Sequence, residues 1–183
     1  VKTVSTTGMI DKLAEYYDLP LIVTPVGFKH ICREMLTRDV IIGGEESGGI
    51  GFAGHIPERD GILSALYLLE FMAKTGKGLG QLLDGLFSVI GPHFTRRIDI
   101  TLPEAGDLEK ALSMLSKISP AEIGGVKVKE ISVLDGYKFF LENGDWLLFR
   151  ISGTEPMIRI YAESGSDEKT LELLGEGRKL IGV

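Results

Sequence analysis

Leu21-Ile-Val-Thr-Pro-Val-Gly-Phe-Lys-His-Ile-Cys-Arg-Glu-Met-Leu-Thr-Arg-Asp-Val-Ile-Ile42 reads as strand, turn, helix and strand in immediate succession. Leu21–Thr24 is a short apolar, β-rich run, and Pro25-Val26-Gly27 has the chemistry of a turn. Phe28–Thr37 is then a helix, and Val40–Ile42 a second buried strand. Working outward toward the start, Lys2–Ser5 reads as another strand, with Thr6-Thr7-Gly8 as the turn before a helix over residues 9–17. Met9, Ile10, Leu13, Tyr16 and Tyr17 recur there at helical spacing, and Asp18-Leu19-Pro20 ends the run. Three strands alternating with two helices within about 45 residues predict right-handed crossovers and a mostly parallel sheet with helices on its faces, a three-layer α/β domain.

Working outward in the other direction, Val40–Ile42 is expected to deliver a glycine-rich loop from Ile42 to Asp60. Six glycines fall between Gly43 and Gly54, among Glu45, Glu46, Ser47, His55, Glu58, Arg59 and Asp60. Glycines allow positive φ and close approach to a ligand. The segments Ser5–Gly8, Thr24–Lys29 and Gly43–Asp60 should share the C-terminal edge of the sheet, where α/β proteins bind ligands. Asp60 should cap a helix over Gly61–Lys74, and Leu79–Ile90 should form another.

After Gly91-Pro92 the pattern changes. Phe94–Leu102 alternates as a strand and Leu108–Ile118 has helical spacing. Strands follow over Val126–Val133, Lys138–Leu141, Trp146–Arg150 and Met157–Ala162, then a closing helix over Glu168–Leu180. Asn143-Gly144 between two of these strands signals a hairpin. This order predicts a smaller α+β domain with a mostly antiparallel sheet and helices on one face. The expected domains are residues 1–92 and 93–183.

The 183 residues are 44% hydrophobic and 25% charged, with a net charge of −6. Residues 1–92 carry 8 basic against 11 acidic side chains, and the remainder 12 against 15. Neither half offers the basic surface that nucleic-acid binding requires. Cys32 is the only cysteine, which rules out an internal disulfide and points to a reducing compartment, the cytoplasm. Ile62–Ala73, the longest apolar run, is broken by Ser64 and Glu70 and is too short to cross a bilayer. No membrane partner is expected, and no signal peptide opens the chain. A chain that begins with Val rather than Met is read as cut from something longer.

Two polar stretches can carry chemistry. In Arg150-Ile-Ser-Gly-Thr-Glu-Pro-Met-Ile-Arg159, both arginines offer forked donors suited to phosphate or carboxylate. Ser152 and Thr154 add hydroxyls, and Gly153 lets successive amides form an anion nest. A plain hairpin turn with arginines paired to surface acids is the other reading. In the first loop, Glu45, Glu46 and Ser47 can accept hydrogen bonds from vicinal hydroxyls, against the alternatives of a solvated acidic loop or a metal site. The metal is disfavoured because adjacent extended residues point apart. Lys29, near a helix N-terminus, can be a phosphate clamp or proton donor, or a solvated lysine. His55 can be an acid/base group or a structural hydrogen-bonder, while His30 and His93 have no supporting context. Ser5-Thr6-Thr7-Gly8 suits either an anion or plain helix capping.

Together the two stretches resemble the α-D-phosphohexomutase family, the phosphoglucomutases and phosphomannomutases. Gly44-Glu45-Glu46-Ser47-Gly48 is similar to its sugar-binding loop, and Arg150-Ile151-Ser152-Gly153-Thr154-Glu155-Pro156 to its phosphate-binding loop. Thr24–Lys29 resembles the lysine-bearing loop, and His55–Gly61 the segment after the sugar loop. The resemblance implies the third and fourth of four domains. It implies a parent enzyme that moves a phosphoryl group between C1 and C6 of a hexose phosphate through a bisphosphate, with Mg²⁺ and a hexose bisphosphate primer. The serine loop and the aspartate motif that hold the nucleophile and the metal are absent from this sequence, so the chain alone is expected to be inactive and to bind no metal.

What the resemblance leaves to this chain is recognition. Glu45 and Ser47 would grip sugar hydroxyls, while Arg150, Ser152, Gly153 and Thr154, with Arg159, would hold the phosphate that does not react. Lys29 would lie near the reacting oxygen, and His55 would be a further catalytic candidate. The expected partners are a phosphohexose and the N-terminal domains of the same protein. Gly49 stands where many phosphomannomutase-like members have His, which leans the reading to glucose. The alternatives are mannose specificity, a stand-alone phosphosugar-binding module, and a metal-dependent hydrolase using Glu45 and Glu46.

Overall fold

The computed structural model describes residues 1–102, 110, 113–152 and 155–182. The chain divides into two compact units, Val1–Pro92 and His93–Val183. In the first unit, β1 (Lys2–Thr3), β2 (Val23–Thr24), β3 (Ile42–Gly44) and β4 (Ile50–Phe52) form one sheet in the order β2-β1-β3-β4. β1 runs parallel to β2 and β3, and β4 closes the edge antiparallel to β3. The helices are α1 (Met9–Tyr16), α2 (Phe28–Thr37), α3 (Gly61–Thr75) and α4 (Leu79–Ile90).

The strand expected at Val40–Ile42 lies two residues later, and the segment after it is a hairpin rather than an open loop. Gly44 pairs with Lys2, and its amide donates to the carbonyl of Val1 (3.1 Å), so the register is set from β1. The amide of Glu45 donates to Gly49 O and that of Gly48 to Glu45 O, both at 3.0 Å. These bonds close a three-residue turn, with Gly48 at φ +87° in the left-handed position it needs. Only Gly48 and Gly54 of the six glycines have positive φ. Gly43 and Gly51 serve packing instead. A Cβ on Gly43 would lie 2.3 Å from Ile31 Cγ2, and one on Gly51 3.1 Å from Phe28 Cζ, so both let α2 lie close against the sheet. Asp60 caps α3 by accepting from the amides of Ile62 (3.0 Å) and Leu63 (2.9 Å).

The second unit is a six-stranded antiparallel sheet in the order β5-β10-β9-β8-β7-β6. Its strands are β5 (Phe94–Thr101), β6 (Glu122–Ile123), β7 (Val126–Ser132), β8 (Tyr137–Leu141), β9 (Trp146–Ile151) and β10 (Met157–Ser164). The Asn143-Gly144 signal marks the β8–β9 hairpin, with Gly144 at φ +91°. Ser166 caps the closing helix α5 (Asp167–Leu180). Phe139, Leu147, Phe149, Ile158, Ile160 and Ala162 are buried together with Leu173 and Leu174 of α5. Each such Leu, Ile or Phe side chain contributes about 1.5–3 kcal/mol by leaving water, so alternation along β8, β9 and β10 is what holds this unit together. The helix expected at 108–118 lies largely outside the described residues, of which 110 and 113–115 are helical. No described helix is long and apolar enough to cross a membrane.

Candidate functional site

In the first unit the β3–β4 turn meets the other two loops at the same edge of the sheet. Glu45 leaves β3 with its side chain inward and nearly buried. Its Oε1 accepts from the backbone amide of Gly27 (2.9 Å), and its Oε2 lies 3.5 Å from Arg59 Nη1. Gly27, at φ +120°, turns its amide toward that carboxylate just before α2. The neighbouring Glu46 accepts from the hydroxyl of Ser5 (2.8 Å). Two adjacent glutamates therefore tie the Ser5 loop, the Gly27 loop and the β3–β4 turn into one surface. Ser47 stands exposed at the apex of that turn, and Lys29 is exposed in the first turn of α2.

The remaining first-unit candidates serve the frame. Thr7 accepts from the amide of Met9 (3.1 Å), and Thr3 and Thr6 hydroxyls bond at 2.8 Å, so the Ser5–Gly8 hydroxyls are largely spent internally. His55 bonds Asp60 at 2.9 Å, which places it on the cap of α3. The Asp60 carboxyl is held below its usual range, first by the amide of Leu63 and then by His55. Lys2, which sequence reasoning passed over, is buried beneath the Ser5–Gly8 loop, pairs with Asp11 and donates to Thr7 O (3.0 Å).

In the second unit Arg150, near the end of β9, donates from Nε to Asp135 Oδ2 (2.9 Å). Asp135 sits in the β7–β8 turn and was not among the expected site residues. The turn reaches Arg150 because Gly136 (φ +97°) presses against β9, where a Cβ would fall 2.2 Å from Phe149 O. Arg159 on β10 is the direct cross-strand neighbour of Arg150, and Asp99 on β5 is the neighbour of Arg159. Arg159 lies 3.6 Å from Glu155 and 4.0 Å from Asp99, and its buried Nε makes no hydrogen bond among the described residues. Ser152 is buried beside them, with its amide on Met157 O (3.0 Å). Gly153 and Thr154 lie outside the described residues. Two guanidinium groups side by side, each backed by an acid, form an arrangement suited to a doubly charged anion.

Residues 1–90 match the family model described as phosphoglucomutase/phosphomannomutase, alpha/beta/alpha domain III. Residues 105–178 match that of the phosphoglucomutase/phosphomannomutase C-terminal domain. The chain belongs to the phosphoglucomutase/phosphomannomutase family. It is 34% identical over 181 residues to a phosphoglucomutase/phosphomannomutase of Thermococcus kodakarensis, covering 99% of this chain and 37% of that protein. It is also 34% identical to a phosphoglucosamine mutase of Methanocaldococcus jannaschii, covering 99% of this chain and 38% of the relative. A crystal structure from Thermus thermophilus, provisionally designated a phosphomannomutase, superposes with a TM-score of 0.80 at 37% identity, over 100% of this chain and 36% of that one. The chain thus spans a little over a third of the length of these relatives. Mixed α/β and antiparallel units match the folds of the family's third and C-terminal domains.

Proposed function

We propose that this chain is the substrate-recognition half of a phosphohexomutase whose parent interconverts hexose 1- and 6-phosphates through a bisphosphate. The observation that carries this reading is the Glu45 carboxylate, which gathers the Gly27 amide and Arg59 into one edge beneath an exposed Ser47. Each carboxylate oxygen has two lone pairs, so Glu45 can hold the loops and still accept a sugar hydroxyl. Ser47 supplies a second contact, and Lys29 a mobile cation for the phosphate at the reacting end. In the second unit Arg150, Arg159, Ser152, Gly153 and Thr154 hold the phosphate that does not react. Asp135 fixes Nε of Arg150, so the terminal nitrogens face the anion as a fork.

The logic is that of a substrate bound in two orientations. A fixed phosphate anchor serves both, and the sugar grip must tolerate the flip. Phosphoryl transfer then depends on positioning and charge stabilisation. The nucleophilic serine and Mg²⁺ are proposed to lie on other parts of the parent. Among the described residues no three His, Cys, Asp or Glu side chains are grouped to hold a metal ion.

The sugar we propose is gluco-configured. Gly49 supports this by standing where many phosphomannomutase-like members have His, and a Cβ there would lie 3.0 Å from Arg59 Cδ and 3.6 Å from Glu45 Oε2. A histidine at this position would crowd the Arg59–Glu45 contact. Rates of the parent protein with the 1-phosphates of glucose, glucosamine and mannose test the choice. Higher kcat/KM for the first two is expected, and a preference for mannose 1-phosphate would overturn it.

A further inference from the structure

Helix α3 has the composition of a buried helix and almost no burial. Ile62, Leu63, Ala65, Leu66, Tyr67, Leu68, Leu69, Phe71, Met72 and Ala73 surround its axis, yet no residue of Gly61–Thr75 is buried. A helix apolar all round belongs inside a protein. The side turned to its own sheet accounts for part of this: Leu63 and Ser64 are half-buried, and Tyr67 meets Phe52 edge-on at 4.7 Å. The opposite side is a second apolar stripe, Ile62, Leu66, Leu69 and Ala73, at the 4-3-4 spacing of a helix-packing seam. Ile62 is 78% exposed, Leu66 57% and Leu69 60%. The only charges on the helix, Glu70 and Lys74, pair with each other at 2.6 Å beside the stripe rather than on it.

We propose that this stripe docks the polypeptide which, in the longer relatives, precedes the third domain. Two observations and one general argument select that occupant over a second copy of the chain. Relatives that match this chain over 99% of its length are covered over only 37–38% of their own. The matched first unit is a third domain, so further domains precede it in such proteins. A segment tethered in the same polypeptide also meets the stripe at millimolar effective concentration, which a free second copy does not reach. Contiguous apolar patches of this kind mark protein–protein contacts. The proposal rests on the reading of the chain as part of a longer phosphohexomutase, and its test does not depend on turnover.

The test compares the 183-residue chain with the longer protein, each as wild type and as the double variant Leu66→Lys, Leu69→Lys. Circular dichroism confirms that each variant folds. In the short chain the substitutions should leave the melting temperature nearly unchanged and reduce binding of a hydrophobic dye. In the longer protein they should lower the melting temperature by several degrees and raise hydrogen exchange in α3 at least tenfold. Equal, small effects in both proteins would overturn the proposal. So would a short chain that dimerises in light scattering and becomes monomeric on substitution, because the occupant would then be a second copy. A wild-type longer protein without mutase activity whose double variant still shows the raised exchange in α3 would count against the proposed function and not against the interface.

Discussion

Arg150 and Arg159 stand directly opposite each other on β9 and β10, and each guanidinium is backed by an acid from a different part of the sheet. Like charges placed opposite on neighbouring strands repel. Asp135 offsets that repulsion at Arg150, while Asp99 and Glu155 do so at Arg159. Such a balanced pair suits the phosphate anchor proposed above.

Arg150→Ala in the longer protein should raise KM for the hexose phosphate roughly 10- to 100-fold, the loss of one or two charge-assisted hydrogen bonds. Arg159→Ala should raise it less, because Arg159 is shared with Asp99 and Glu155. Steady-state kinetics check both, and unchanged KM in Arg150→Ala would remove the anchor role.

Asp135→Asn should act through Arg150. Asn keeps the shape and an acceptor but loses the charge, so the guanidinium keeps a looser hold. KM should rise about 3- to 10-fold with kcat nearly unchanged, since a non-reacting phosphate contributes ground-state and transition-state binding alike. A residue that only stabilised the β7–β8 turn would shift the melting temperature and leave KM alone.

Glu163 is almost fully buried and accepts from Trp146 Nε1 (2.9 Å), Thr95 Oγ1 (2.7 Å) and His93 Nδ1 (3.1 Å). Glu163→Ala would leave the buried Trp146 Nε1 and the half-buried His93 without their acceptor. Unfolding of the second unit should become easier by about 3 kcal/mol or more, measured by urea titration.

The cap of α3 gives a pH dependence with a definite sign. The Asp60 carboxyl titrates below its ordinary value of 3.8, chiefly through the Leu63 amide and next through His55. Its folded-state pKa is depressed, so its contribution to stability is complete above that ordinary value and is lost as pH falls through the folded value. The melting temperature of Asp60→Ala should lie below wild type at about pH 7, and the gap should close below pH 3.8. His55→Ala should show a smaller gap of the same sign. Thermal melts across this range are the check.

The helices were the legible part of the sequence. Phe28–Thr37 and Leu79–Ile90 have the bounds that their apolar spacing and flanking Gly27 and Gly91 indicate, and Asp60 is the cap its position suggested. The β3–β4 hairpin was not legible, because three-residue strands rich in glycine show no alternation. Gly43 and Gly51 looked like ligand glycines, yet their cause is the approach of Ile31, Phe28 and Met35 from α2. Motif spacing placed Glu45 and Arg150 on the candidate surface but could not supply their partners. Glu45 is bound by a backbone amide 18 residues away, and Arg150 by a turn aspartate 15 residues away, contacts that only the folded chain creates.

Turnover by the longer protein tests the central claim most directly. With Mg²⁺ and glucose 1,6-bisphosphate as primer, it should convert glucose 1-phosphate to glucose 6-phosphate, while the 183-residue chain alone should not. Absence of conversion by the longer protein, or turnover by the isolated chain, would contradict the account.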